Sequence, residues 1–321
     1  MVSKKLKSLL EKQQYGFCGE HSAVKVCTWT KKSLTGNDVC YKQKFYGIRS
    51  HLCCQMSPTV GFCQNACVFC WRDLSLTEGK NKIEKSDTIE KIDSPEDIIK
   101  NSVEQQRKLL SGFGGNEKTD PKKLKESQDP EHYAISLTGE PTLYPKINQL
   151  IKMLHEKGKT TFLVSNGLTP EIIKKIEPPT QLYVSIDAPN EELWKKIDRS
   201  SVKDGWNKLM ETLDILNDLK DKTRTTLRIT MIKDMNMVNP EQYADLIKRS
   251  DALFVEVKAY MFVGSSRQRL TIKNMPRHNE VREFSEKICE KSGYKIIDEK
   301  KESRVILLAK EDFEGRIMKF D

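Results

Sequence analysis

No apolar run in this sequence approaches the roughly 18 residues that a membrane-spanning helix needs, which excludes an integral helical membrane protein. The opening residues, Met1-Val2-Ser3-Lys4-Lys5-Leu6-Lys7, supply basic side chains but neither an apolar stretch nor a small-residue cleavage site. No secretory leader is therefore expected. No internal repeat shows. The signature of disorder is missing too: mean hydropathy is −0.61, yet Val, Ile, Leu and Phe recur in short, regular blocks. Cysteine is in surplus, with nine residues in 321, eight of them between Cys18 and Cys70. A secreted disulfide scaffold would be shorter and would spread its cysteines. The expectation is a cytoplasmic chain whose reduced, clustered thiols mean metal. Lys and Arg number 55 against 46 Asp and Glu, a net charge of +9. That balance is compatible with a polyanionic partner without requiring one.

From Pro58 onward, strand-like and helix-like blocks alternate. Short apolar or β-branched runs predict strands at Thr59–Phe62, His132–Leu137, Thr160–Val164, Leu182–Ile186, Thr226–Met231 and Leu253–Val257. Amphipathic stretches predict helices at Pro95–Leu110, Pro145–Glu156, Pro170–Ile176, Glu191–Ile197, Asp204–Leu219 and Pro240–Arg249. Several of these open on proline behind a capping Ser94 or Thr169. A further helix, Asn279–Lys291, leads to strands at Lys295–Ile297 and Val305–Leu308. The pattern implies an α/β chain whose parallel sheet winds toward an incomplete barrel. Ser75–Asp93 and Gly112–Glu131, rich in Lys, Glu, Asp, Gly and Pro, read as solvated insertions. The division expected is an N-terminal extension over 1–57, a strand–helix core over 58–275 and a closing helix and strands over 276–321.

The strongest chemical signal is Cys63-Gln64-Asn65-Ala66-Cys67-Val68-Phe69-Cys70. Three thiols that leave a strand end together can point to one centre. A [4Fe–4S] cluster normally takes four cysteines, so three leave one iron open. The competing reading is a zinc site completed by a histidine such as His51.

The triplet, with an aromatic before its last cysteine, resembles the radical S-adenosylmethionine (SAM) superfamily. That resemblance implies a (β/α)6 TIM-like barrel, incomplete, with N-terminal and C-terminal elaborations, and an open iron that chelates the methionine moiety of SAM. Further segments match in order. Phe69 corresponds to the residue that packs near the adenine. Thr138-Gly139-Glu140-Pro141 corresponds to the segment that receives the cofactor's ammonium. Asn166 follows the third strand, Ser185 and Asp187 resemble the ribose-binding segment, and Tyr260 lies near where adenine is read. Each motif falls at the carboxyl end of its strand, where parallel β/α barrels place their sites.

Cys27, Cys40 and Cys53 are each separated by twelve residues. On spacing alone they are buried thiols or zinc ligands. Together with SPTVGFCQNACVFCWR they resemble the wybutosine-pathway branch of the superfamily, over nearly the whole chain. The resemblance implies a second [4Fe–4S] cluster on this triad, with Lys42 as the lysine that forms a Schiff base with pyruvate. Cys18, Cys54 and Cys289 fit neither triad. Cys54 competes with Cys53, but neighbours in an extended segment point to opposite faces, and the family match selects Cys53.

The implied reaction is that of a SAM-dependent tRNA-modifying enzyme of the carbon–carbon lyase type. It condenses N1-methylguanosine beside the anticodon of phenylalanine tRNA with pyruvate carbons, forming the tricyclic base 4-demethylwyosine. Its partners are tRNA-Phe, pyruvate and a separate flavodoxin- or ferredoxin-type electron donor, with no membrane. Trp71, Arg72, Arg267 and Arg269 are the main candidates for contact with RNA, with Tyr260 and Phe262 as further stacking platforms. Two other readings stay open: a radical SAM enzyme acting on another RNA base or small molecule, and a zinc-stabilised RNA-binding protein without catalysis.

Overall fold

The computed structural model describes residues 2–77 and 92–320. Most of the expected insertion Ser75–Asp93, positions 78–91, lies outside the described residues. The rest falls into two compact units. The first comprises 2–63, 92–164 and 317–320, and the second 64–77 and 165–316.

In the first unit the order is α1 (Lys4–Lys12), β1 (Gly16–Phe17), β2 (Ala23–Val24), α2 (Thr28–Leu34), α3 (Tyr41–Tyr46), β3 (Cys53–Ser57), α4 (Pro95–Leu110), α5 (Pro121–Glu126), β4 (His132–Ile135), α6 (Ile147–Glu156) and β5 (Thr160–Ser165). Antiparallel β1 and β2 lead into β3, which runs parallel to β4 and β4 to β5. Helix α4 shows how local sequence sets an element. The Ser94 hydroxyl accepts from the Asp97 N–H, Pro95 occupies the first turn, and Glu96 and Asp97 face the helix's positive end. Its buried residues Ile98, Ser102, Gln106 and Leu110 recur every fourth position along one stripe.

Two expectations are corrected here. The first parallel strand is Cys53–Ser57, not Thr59–Phe62. Pro58 has no N–H to continue the ladder, and Thr59–Phe62 closes into a turn, with the Phe62 N–H donating to the Thr59 carbonyl and Gly61 at φ +86°. Val60 and Phe62 are buried as the reading required, but in a turn. Gly112–Glu131 is not a bare solvated insertion either. It contains α5, whose N–H groups are capped by Asp120. Phe113 and Leu124 pack on Val26, Leu34 and Leu110, giving the segment a small core of its own.

Residues 317–320 also belong to this first unit. The Met318 N–H donates to the Tyr46 carbonyl at 2.9 Å. Gly47 ends α3 in the left-handed region at φ +83°, and a Cβ there would lie 2.3 Å from the Met318 carbonyl oxygen. The Phe320 ring sits 4.6 Å from that of His132.

The second unit runs α7 (Pro170–Ile173), β6 (Gln181–Ser185), α8 (Glu191–Asp198), α9 (Gly205–Leu219), β7 (Arg224–Met231), α10 (Pro240–Ser250), β8 (Phe254–Ala259), α11 (His278–Ser292), β9 (Lys295–Lys300) and β10 (Val305–Ala309). Strands β6, β7 and β8 are parallel, and β10 joins antiparallel between β8 and β9. All five residues of β10 are buried, as its unbroken apolar run requires. Among the described residues no helix is long and apolar enough to cross a membrane.

Candidate active site

The loop that carries Cys67 and Cys70 is held by its backbone. The Ala66 and Val68 N–H groups donate to the Asp198 and Ile197 carbonyls at the end of α8, and the Ser201 N–H donates to the Gln64 carbonyl. Both thiols are half-buried, and no disulfide engages any of the nine cysteines. The Cys67 thiol donates to Asp198 Oδ1 at 3.1 Å. Burial first, then the neighbouring Asp187, holds the Asp198 carboxyl well above the usual range, while the bond from Cys67 lowers it.

Cys63 closes the preceding unit and is buried. The turn leading into it packs against Gly139. At φ +75°, a Cβ on Gly139 would stand 2.0 Å from the Thr59 carbonyl oxygen and 2.7 Å from that of Phe62. Only glycine lets these backbones approach. The Glu140 N–H donates to the Phe62 carbonyl at 2.8 Å, and its buried carboxylate accepts from the N–H and hydroxyl of Thr142. The Gly-Glu segment is thus fixed on the residues that lead into the first cysteine.

Within the second unit, Asn166 donates to Gln64 Oε1 at 3.1 Å and accepts from the Leu168 N–H. Ser185 ends β6, half-buried. Asp187 is buried and accepts from the Thr230 N–H at 2.9 Å. Burial pushes its carboxyl up to about 6, with Thr230 and Arg228 pulling the other way. Phe69 and Trp71 are half-buried.

Three expected roles meet different surroundings. Tyr260 is 1% exposed, with its hydroxyl on Ser266 at 2.8 Å, so its ring is not presented as a stacking platform. The Arg72 Nε–H donates to Cys70 Sγ at 3.0 Å, and Arg269 donates to the carbonyls of Val68 and Cys70. These two RNA candidates are turned onto the cysteine loop. Arg267 lies over the Phe262 ring at 5.3 Å.

The second triad is assembled in the first unit. Cys27 and Cys40 stand at the N-caps of α2 and α3, and neither thiol caps its helix. Cys53 opens β3. Burial, then the charges of Cys27 and Cys40, pushes the Cys53 thiol well up, and Lys42 pulls it down. All three thiols and the lysine therefore share one neighbourhood. Lys42 is 8% exposed, with its ammonium 5.2 Å from the centre of the Phe162 ring.

Cys54 turns the other way. It is fully buried, with its surroundings set by Cys18 and a hydrogen bond to Ser102. Adjacent strand positions point to opposite faces, which separates it from Cys53.

Sequence reasoning passed over the residue that ties this triad together. The buried Ser50 hydroxyl accepts from the Cys40 N–H at 2.9 Å and donates to Gln43 Oε1 at 2.8 Å. Its N–H also donates to Gln43, and its carbonyl accepts from the Thr30 hydroxyl. One serine thus links α2, Cys40, α3 and the turn before Cys53. His132 was missed as well. It lies opposite Cys53 in the ladder, bonded to the Arg49 N–H and to Thr160. His51, the alternative zinc ligand, is paired with Glu126 at 2.7 Å. Among the described residues, no three His, Cys, Asp or Glu side chains are grouped to hold a single metal ion.

Residues 57–247 match the radical SAM superfamily, and residues 249–310 match the family described as wyosine base formation. The S-adenosyl-L-methionine-dependent tRNA 4-demethylwyosine synthase of Pyrococcus abyssi is 47% identical over 310 residues, covering 95% of this chain and 88% of its own. A solved structure described as TYW1 with a lysine–pyruvate adduct bound superposes with a TM-score of 0.87 at 37% identity, covering 99% of this chain and all of its own. An archaeal TYW1 crystal structure gives 0.79 at 34% identity, with 99% and 100% covered. The chain therefore has the α/β fold of radical SAM enzymes and belongs to the family of S-adenosyl-L-methionine-dependent tRNA 4-demethylwyosine synthases.

Proposed function

We propose that this enzyme joins carbons of pyruvate to N1-methylguanosine in phenylalanine tRNA to form 4-demethylwyosine. Cys63, Cys67 and Cys70 would hold the [4Fe–4S] cluster to which SAM binds, and Cys27, Cys40 and Cys53 a second one. The observation that carries the reading is the meeting of three cysteine thiols outside any disulfide with a buried lysine in one unit. A solved relative described as holding a lysine–pyruvate adduct supports the same role for Lys42.

The residues fit these groups. Each triad supplies three thiols and no fourth, and Gly139 leaves its backbone clear beside the Cys63 turn. When bound and reduced by one electron, the cluster with SAM supplies a 5′-deoxyadenosyl radical, the hard chemistry that proteins borrow from cofactors.

The protein's own work is positioning. The backbone of Gly139 and Glu140 would receive the amino end of SAM, with Asn166, Ser185, Asp187 and Phe69 along the rest of the cofactor. Lys42 Nζ must shed a proton before it attacks the pyruvate ketone, and loss of water then gives the Schiff base. Lys42 is buried, with Nζ 5.2 Å from the centre of the Phe162 ring, a setting that limits the water around the reacting amine. Electrons would come from a separate flavodoxin- or ferredoxin-type donor, and Trp71 and Arg267 are the remaining candidates for contact with tRNA.

After anaerobic reconstitution, about eight irons per chain are expected, falling to about four in Cys27→Ala. With N1-methylated tRNA, SAM, a reductant and labelled pyruvate, label should enter one tRNA nucleoside. Borohydride should trap labelled pyruvate on the wild type and not on Lys42→Ala. Unlabelled tRNA under these conditions overturns the substrate assignment.

A further inference from the structure

Two guanidinium groups grip the loop of Cys67 and Cys70, and the function proposed above gives neither a task. Arg72 follows the last cysteine by two positions. Its Nε–H donates to Cys70 Sγ at 3.0 Å and its Nη2 to the Asn65 carbonyl at 3.2 Å. Arg269, from the segment after β8, donates through Nε to the Val68 carbonyl at 3.0 Å and through Nη2 to the Cys70 carbonyl. A third tie comes from the Ser265 N–H to the Trp71 carbonyl at 2.9 Å. Gly264 makes that approach possible: a Cβ there would meet the Trp71 carbonyl oxygen at 2.4 Å.

A guanidinium keeps its charge at any working pH, and its planar fork holds its donors in fixed directions. An N–H and a permanent positive charge aimed at a cysteine sulfur act differently on the two redox states of a bound iron–sulfur group. The reduced state carries one more negative charge, partly on its sulfurs. Hydrogen bonds to those sulfurs and net local charge are what move such potentials. Lysine at this position would keep the charge but lose the directed Nε–H.

We propose that Arg72 raises the reduction potential of the cluster held by Cys63, Cys67 and Cys70 by donating to the Cys70 sulfur, and that Arg269 is the positioning residue that keeps the loop in register for that bond. The proposal rests on the assignment of those three cysteines as ligands. It removes both arginines from the set that reads RNA phosphates.

The test is an anaerobic redox titration of the reconstituted holoenzyme, following the electron paramagnetic resonance signal that changes when SAM is added. Arg72→Met should shift the one-electron equilibrium about tenfold toward the oxidised form, a fall of ~59 mV, at unchanged iron content. Arg72→Lys should fall part of the way, and Arg269→Met should move the midpoint in the same direction by less. If Arg72→Met does not load iron, the Lys variant decides. Fully loaded Arg72 variants that titrate at the wild-type midpoint overturn the proposal. So does an unchanged midpoint with weaker tRNA binding and a shallower salt dependence, the behaviour of a phosphate contact. If Cys70→Ala keeps the SAM-responsive signal, the ligand assignment has failed instead, and the two failures are distinguishable.

Discussion

The two cysteine triads are built in opposite ways. Cys63, Cys67 and Cys70 lie within eight consecutive residues, so chain connectivity alone keeps them close. Cys27, Cys40 and Cys53 are separated, each from the next, by twelve intervening residues and come from two helix N-caps and the start of a strand. Their proximity is tertiary, and it runs through Ser50 and its bonds to Thr30, Cys40 and Gln43. A local site survives loosening of its surroundings, because little loop entropy separates its parts. A dispersed site is only as ordered as the packing that assembles it.

The largest expected effect separates the two triads by chemistry. Cys67→Ala should abolish cleavage of SAM and all product. Cys53→Ala should abolish product while keeping reductive SAM cleavage, measured as 5′-deoxyadenosine. If both lose cleavage equally, the triads are not independent.

Acid should act on the dispersed site first. His132, opposite Cys53, has its pKa lowered to about 3 by burial, with Arg49, His51 and Lys159 adding to the effect. A lowered folded-state pKa contributes stability above the unfolded value near 6.5, lost as pH falls toward 3. The span corresponds to about 5 kcal/mol. Denaturant titrations from pH 7 to pH 4 should show a steep loss that His132→Gln flattens, and an equal slope in the variant would refute this.

Gly139→Ala comes next, at about 3 kcal/mol, because a left-handed backbone and a collision with the Thr59 carbonyl coincide. Unfolding midpoints and SAM binding should both report it. Ser50→Ala should cost about 1–3 kcal/mol by stranding the Cys40 N–H. Its sharper signature is iron. Half the iron should become labile to a chelator, and the half bound by the local triad should stay. Uniform lability would mean that Ser50 serves the whole fold and not one triad.

Much of this molecule was legible because its signals are local. Ser94 and Pro95 announce α4, and the unbroken apolar run of β10 announces a strand buried on both faces. The strand before the first triad was misplaced for an equally local reason. Cys53-Cys54-Gln55-Met56-Ser57 contains no β-branched residue, whereas Thr59-Val60-Gly61-Phe62 does, and propensity yielded to the ladder that tertiary pairing built. The same limit governs the sites. The spacing of Cys63, Cys67 and Cys70 carries its own meaning, but the serine between Cys40 and Cys53 has none until the helices close around it. Charge singled out Arg72 and Arg269 as candidates for contact with RNA. It could not show that they point inward at sulfur and carbonyl oxygens and not outward at phosphate.

The segment 317–320 has a consequence in time. Chains fold from the amino end as they are made, and α3, which carries Lys42, emerges long before 317–320. Its closing bond, from Met318 to Tyr46, and the ring of Phe320 on His132 come from the last described residues. Until those residues emerge, α3 lacks the partner at its C-terminal end and His132 the ring that covers it. Cys40 at the start of α3 and Cys53 opposite His132 therefore stand in incompletely packed surroundings until residues 317–320 have been made.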